Sequence, residues 1–117
     1  MEMIKHHYSQ ALLLAREKIL ASGLADLVEE LYVYGSVARG NMTWDSDIDL
    51  LLVLNPVFRD SRTIKKEIIF LKGSISGDTL DDPEIDLKVV FGQHWKNSSQ
   101  TYYRNILREG RQIWKKT

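Results

Sequence analysis

Apolar positions along the chain keep two rhythms, one near 3.6 residues and one near 2. From about His6 to Ser22, Tyr8, Ala11, Leu12, Ala15, Ile19 and Leu20 recur at helical spacing, and Gly23 stands where a C-terminal cap belongs. Leu31–Tyr34 is a short β-prone run ended by Gly35. Ile48–Leu54 (IDLLLVL) is apolar but for Asp49 and lies between Asp45-Ser46-Asp47 and Asn55-Pro56, which fits a central strand covered on both faces. Ser61 can cap a helix carrying Ile64, Ile68, Leu71 and Ile75, stopped by Gly77. The stretch 78–84 (DTLDDPE) reads as a loop, and Ile85–Phe91 (IDLKVVF) alternates at its start as a strand does. Ser98 or Ser99 is expected to open a last helix with Tyr102, Tyr103, Ile106 and Leu107, closed by Gly110, before an edge strand at Gln112–Trp114. The resulting order predicts an α+β domain, with helices packed on a small mixed sheet.

Composition narrows the class. The 117 residues are 44% hydrophobic and 27% charged, which fits one globular domain, 1–117, and excludes a disordered chain. No apolar run approaches the roughly 20 residues that span a bilayer, and the opening MEMIKHHYSQ has no signal-peptide core; the expectation is a cytoplasmic protein without membrane contact. Without cysteine there is no disulfide, thiolate metal site or thiol nucleophile. Sixteen basic and sixteen acidic residues cancel, which argues against binding extended nucleic acid. The charge is uneven, because residues 88–117 carry seven basic groups against Glu109 alone, a net +6 that marks a candidate docking surface.

The chemistry concentrates between Gly35 and Leu54 (GSVARGNMTWDSDIDLLLVL). Asp47 and Asp49 stand two apart at a strand start, so both carboxylates face one way, roughly 6.5–7 Å apart along the chain. Asp86 has the same local setting, Ile85-Asp86-Leu87 beside Ile48-Asp49-Leu50, and joins the pair if the two strands are neighbours at about 4.8 Å. Three crowded carboxylates repel one another, and a bound cation removes the conflict. Oxygen donors without His or Cys favour Mg²⁺ or Mn²⁺ over zinc, and two such ions suit an in-line displacement at phosphorus. Gly35 lets a ligand approach the backbone without a Cβ in the way. Ser36 offers a hydroxyl, and a short helix opening there presents free amides to phosphate. Taken singly, each feature has an ordinary explanation as a turn, a cap or a strand-end acid. Together they suggest a nucleoside triphosphate with Mg²⁺.

The arrangement Gly-Ser, ten residues, then Asp-x-Asp on a strand resembles the signature of the DNA polymerase β-type nucleotidyltransferase superfamily. It is most similar to the minimal nucleotidyltransferase (MNT) group, through Gly35, Ser36, Ala38, Arg39 and Gly40, then Ser46, Asp47, Asp49 and Leu50. The resemblance implies the nucleotidyltransferase fold, with two Mg²⁺ ions (or Mn²⁺) on Asp47, Asp49 and Asp86 and ATP or another NTP as donor. It implies that Gly35 and Ser36, with Arg39 as a further candidate, bind the nucleotide phosphates, and that Asp86 helps activate the acceptor hydroxyl. Asp81 and Asp82 compete for the third carboxylate but fall in the expected loop.

Larger relatives add a second domain for the acceptor, whereas this sequence runs only 26 residues beyond Phe91, so the acceptor is expected on another molecule. The resemblance points to a HEPN-type toxin as partner, neutralised by AMP transfer to a tyrosine. Neutralisation by occlusion with a vestigial triad, and a small-molecule nucleotidyltransferase of the aminoglycoside type, are the alternatives. Self-association is compatible with the sequence.

Among the remaining residues, Arg39 either meets phosphate or pairs with Asp45 or another acid. Lys88 either reaches phosphate or neutralises the carboxylates. Trp44 is expected to pack across its loop, and His6, His7 and His94 to lie at the surface. At least one of Tyr102 and Tyr103 is expected in the core.

Overall fold

A computed structural model describes residues 2–117. Helix α1 (Glu2–Leu20) leads through a 3₁₀ turn (Ala25–Leu27) into β1 (Val28–Tyr34) and directly into the short α2 (Gly35–Arg39). Strand β2 (Ile48–Leu54), a second 3₁₀ turn (Pro56–Phe58) and α3 (Arg62–Ser74) follow. The chain continues through β3 (Ile85–Phe91), a third 3₁₀ turn (His94–Asn97), α4 (Thr101–Glu109) and β4 (Arg111–Lys115).

The sheet order is β3-β2-β1-β4. β1 is antiparallel to both β2 and β4, while β2 and β3 run parallel. A parallel pair needs a crossover connection, and α3 supplies it. The expected α+β architecture with a small mixed sheet is what the chain forms.

Period-2 alternation assigns β2 to two cores at once. Ile48, Leu50, Leu52 and Leu54 pack with Leu31, Val33 and Leu87 beneath α1 and α3, in one cluster with Tyr8, Ile19, Leu71 and Ile75. Leu51 and Val53 face the other way, against Trp95 and Ile106, with Tyr32, Tyr34, Tyr102 and Tyr103 around them. Six of the seven β2 residues are fully buried. Each such side chain contributes roughly 1.5–3 kcal/mol of burial free energy, which makes this strand the spine of the molecule. Asp49 is the exception, half-buried on the α4 side.

Several boundaries differ from the pattern-based expectation, each for a local reason. α1 starts at Glu2 because Ile4 is buried one turn before Tyr8, extending the apolar face back past His6, and it ends at Leu20, before Gly23. β1 starts at Val28, since Glu29 and Glu30 disguise its first half, although Glu30 is only 7% exposed. Its carboxylate accepts hydrogen bonds from the Tyr32 hydroxyl (2.6 Å), Lys96 Nζ (2.9 Å) and Gln112 Nε2 (2.5 Å), tying β1 to β4 and to the third 3₁₀ turn. The residue before α4 is Gln100, whose side chain makes no capping hydrogen bond, rather than Ser98 or Ser99; Ser98 Oγ instead accepts from the Gln100 amide (3.1 Å). Ser61 does cap α3, its Oγ accepting from the Ile64 amide at 3.3 Å. Among the described residues no helix is long and apolar enough to cross a membrane.

Candidate active site

The C-terminal end of β1 and the N-terminal ends of β2 and β3 meet at one end of the sheet. Tyr34 is paired with Asp49 across the antiparallel ladder, and Asp49 with Asp86 across the parallel one. The Ile48 amide donates to the Glu84 carbonyl at 2.9 Å and starts that ladder. Tyr34, Asp49 and Asp86 therefore lie in a row on adjacent strands, with Gly35 next to Tyr34 and against the Asp49 carboxylate. Backbone register sets this row, and the repeated Ile-Asp-Leu of the two strands foreshadows it. Asp81 and Asp82 sit outside the row, on the loop before β3; the Asp82 carboxylate instead accepts from the Thr79 amide and hydroxyl, both at 3.1 Å.

Asp47 lies one residue before β2, exposed in the connection from α2, rather than on the strand itself. Its position comes from a turn, in which the Ser46 amide donates to the Thr43 carbonyl (3.0 Å) and the Thr43 amide to Ser46 Oγ (2.9 Å). The Tyr8 hydroxyl contacts the carbonyls of Thr43 (2.9 Å) and Ser46 (2.5 Å) from beneath.

Charge crowding leaves its mark on Asp49. Burial first, then the negative charges of Asp86 and Asp47, hold its carboxyl above the usual aspartate range, and the Arg39 guanidinium works in the opposite direction. Gly35 has φ of +74°, and a Cβ there would run into the Asp49 carboxylate. The missing side chain is thus what allows the carboxylate to lie against the backbone.

Behind the carboxylates stands a pair of phenols. The hydroxyls of Tyr34 and Tyr102 share a hydrogen bond, with their rings edge-to-face at 5.6 Å. Burial raises both phenols, and Asp49 and Asp86 push in the same direction, so both remain protonated. Lys88 lies on the same strand face as Asp86, its Nζ 5.1 Å from the Tyr102 ring centre. Arg39 pairs with Glu109 of α4 at 3.2 Å, not with Asp45. A cleft of about 160 Å³ lies among Tyr34, Gly35, Arg39, Tyr102 and Asn105. A larger hollow of about 420 Å³, near Glu29, Lys96 and Lys116, touches none of the candidate residues.

Asp47, Asp49, Asp86, Gly35 and Ser36 are candidates from spacing along the chain, whereas Tyr34 is not among them. Strand parity was the available signal, since Tyr34 immediately precedes Gly35 and opposes Asp49. Trp44 is 61% exposed and rests against His7, with ring centres 5.4 Å apart. Tyr102 and Tyr103 both pack against the α4-side core.

The chemistry of the three carboxylates, oxygen without His or Cys, is of the kind that suits a divalent cation. Burial together with the neighbouring charges raises Asp49, and the group lies at one end of the sheet. Among the described residues no three acidic or histidine side chains already converge as a metal cage; Asp49 and Asp86 are joined by backbone register, and Asp47 reaches Asp49 through its field.

The sequence profile of the nucleotidyltransferase domain matches residues 16–113, which takes in every candidate residue. The chain belongs to the nucleotidyltransferase domain family. A Methanocaldococcus jannaschii protein named "Putative protein adenylyltransferase" is 26% identical over 87 residues, covering 74% of this chain and 79% of that protein. The crystal structure of a "putative nucleotidyltransferase" from Sulfolobus solfataricus superposes with a TM-score of 0.54 at 18% identity, covering 94% of this chain and 87% of that one. A chain from a toxin–antitoxin crystal structure with AMP-PNP gives 0.49 at 18% identity, covering 97% of this chain and 74% of the other. In this nucleotidyltransferase Gly35-Ser36 and Asp47-x-Asp49 lie near the same end of the sheet.

Proposed function

We propose that residues 1–117 act as one Mg²⁺-dependent nucleotidyltransferase domain that moves AMP from ATP onto a hydroxyl of a partner protein. The observation that carries this reading is the registered pair Asp49 and Asp86 beside Gly35, with Asp47 two residues upstream. Two oxygen-ligated Mg²⁺ ions (or Mn²⁺) would be held by Asp47, Asp49 and Asp86, and would supply charge neutralisation for a triphosphate. Gly35 leaves its backbone open to the phosphates, Ser36 contributes its hydroxyl, and Arg39, at the end of α2, adds a cation that Glu109 keeps oriented. Asp86 receives the proton of the acceptor hydroxyl as its oxygen attacks the α-phosphorus. The bond from that phosphorus to the bridging oxygen breaks, and pyrophosphate leaves. Positioning and charge stabilisation carry such a transfer, so no separate activated nucleophile is needed.

Protein as acceptor and AMP as the group are supported by the name of the M. jannaschii relative. The MNT-like motif supports a tyrosine of a HEPN-type toxin as the acceptor and an antitoxin role for this chain.

The test is transfer from α-labelled ATP with Mg²⁺ in host lysate, comparing the wild type with Asp47→Asn/Asp49→Asn. A labelled protein band with the wild type alone is the expected result. Full labelling by the double variant would sink the carboxylate assignment. Partner neutralisation that survives Asp49→Asn would replace transfer by occlusion.

A further inference from the structure

Asp47 is the one candidate ligand that the sheet does not hold. The β2 ladder begins at Ile48, and Asp47 is exposed on the connection before it. Its place depends on the 43–46 turn, and that turn is tied to the body of the protein from a distant part of the chain. Tyr8, on α1, is 1% exposed, and its single phenolic proton is shared between the carbonyls of Thr43 (2.9 Å) and Ser46 (2.5 Å). The ring itself does not call for a hydroxyl, because Tyr8 belongs to the apolar cluster together with Ile4, one turn earlier on α1, where phenylalanine would fill the same space. A buried hydroxyl needs a partner, and here both acceptors belong to the turn that presents Asp47. Tyr8 also lies outside the matched segment 16–113, so the family profile does not include it.

We infer that Tyr8 is a positioning residue for the metal site, holding the 43–46 turn so that Asp47 stays beside Asp49. This rests on the carboxylate reading proposed above. Deleting a group that orients a metal ligand directly typically weakens affinity about 10–100-fold. Tyr8 acts through the backbone turn that carries Asp47, so the lower end of that range is expected.

The experiment uses the full chain with Mn²⁺ alone, counting free ion by electron paramagnetic resonance. Tyr8→Phe should weaken Mn²⁺ binding by about 10-fold while cooperative melting is retained, and should speed hydrogen exchange at the Ser46 amide. Asp47→Asn is measured in parallel and should weaken binding at least as much. Unchanged affinity in Tyr8→Phe, with loss in Asp47→Asn, overturns the role of Tyr8 and leaves the carboxylate reading standing. Unchanged affinity in both overturns the two together. Should Tyr8→Phe not fold, Ser46→Ala loosens the same turn from within. Weaker Mn²⁺ binding there supports the inference, and unaltered binding refutes it.

Discussion

At the scale of single residues, Gly35 shows how little separates a turn from a site. Its φ of +74° costs an L-residue about 1–2 kcal/mol, and the added Cβ would displace the Asp49 carboxylate. Gly35→Ala is therefore expected to lower stability by about that amount. It should also cut transfer by about 100-fold, because misplacement of about 1 Å at a reacting centre has that effect. A chemical melt together with a label-transfer rate checks both. The motif was readable at this scale because spacing along one strand is a property of the chain. The phenol pair was not, since Tyr34 and Tyr102 are 68 positions apart and meet only when α4 lies on β1 and β2.

At the scale of elements, β2 and β3 were legible to the residue, because an apolar run between polar breakers leaves few other solutions. β1 was half-legible. Its buried Glu30 reads as loop chemistry until Tyr32, Lys96 and Gln112 are seen around the carboxylate. Burial raises this carboxyl, but the Tyr32 hydroxyl and Lys96 outweigh it and hold the group below its usual range. Its stabilising contribution is accordingly complete above the ordinary glutamate range and lost as pH falls through the lowered value. Lys96→Ala leaves the charge short of a partner and should destabilise by about 1–3 kcal/mol at neutral pH. The deficit should shrink in acid, as urea melts at several pH values would show. An unchanged deficit at every pH would assign the loss to side-chain packing instead.

At the scale of the whole molecule, the sheet stores a charge conflict at one end. The folded value for Asp49 is raised, so the native state keeps its proton more tightly than the unfolded chain does. The Asp49 contribution to stability must then fall as pH rises through the window from the ordinary aspartate range to the raised value, and its penalty persists above it. Asp49→Asn is expected to raise the melting temperature at neutral pH, because the amide carries no charge to be buried beside Asp86 and Asp47. The gain should vanish below the ordinary aspartate range. Millimolar Mg²⁺ should raise the wild-type melting temperature and leave the variant's nearly unchanged, as scanning calorimetry would report. What the chain carried in its own order was the set of elements, the Gly-Ser and Asp-x-Asp spacing, and the likeness of Ile48-Asp49-Leu50 to Ile85-Asp86-Leu87, because helical and strand periods and local motifs are short-range. What required the folded molecule was the register that sets Asp49 against Asp86, the phenols behind them and the grip of Tyr8 on the turn before Asp47. Contacts between segments dozens of residues apart follow from how two layers close on a sheet, and no local pattern records that closure.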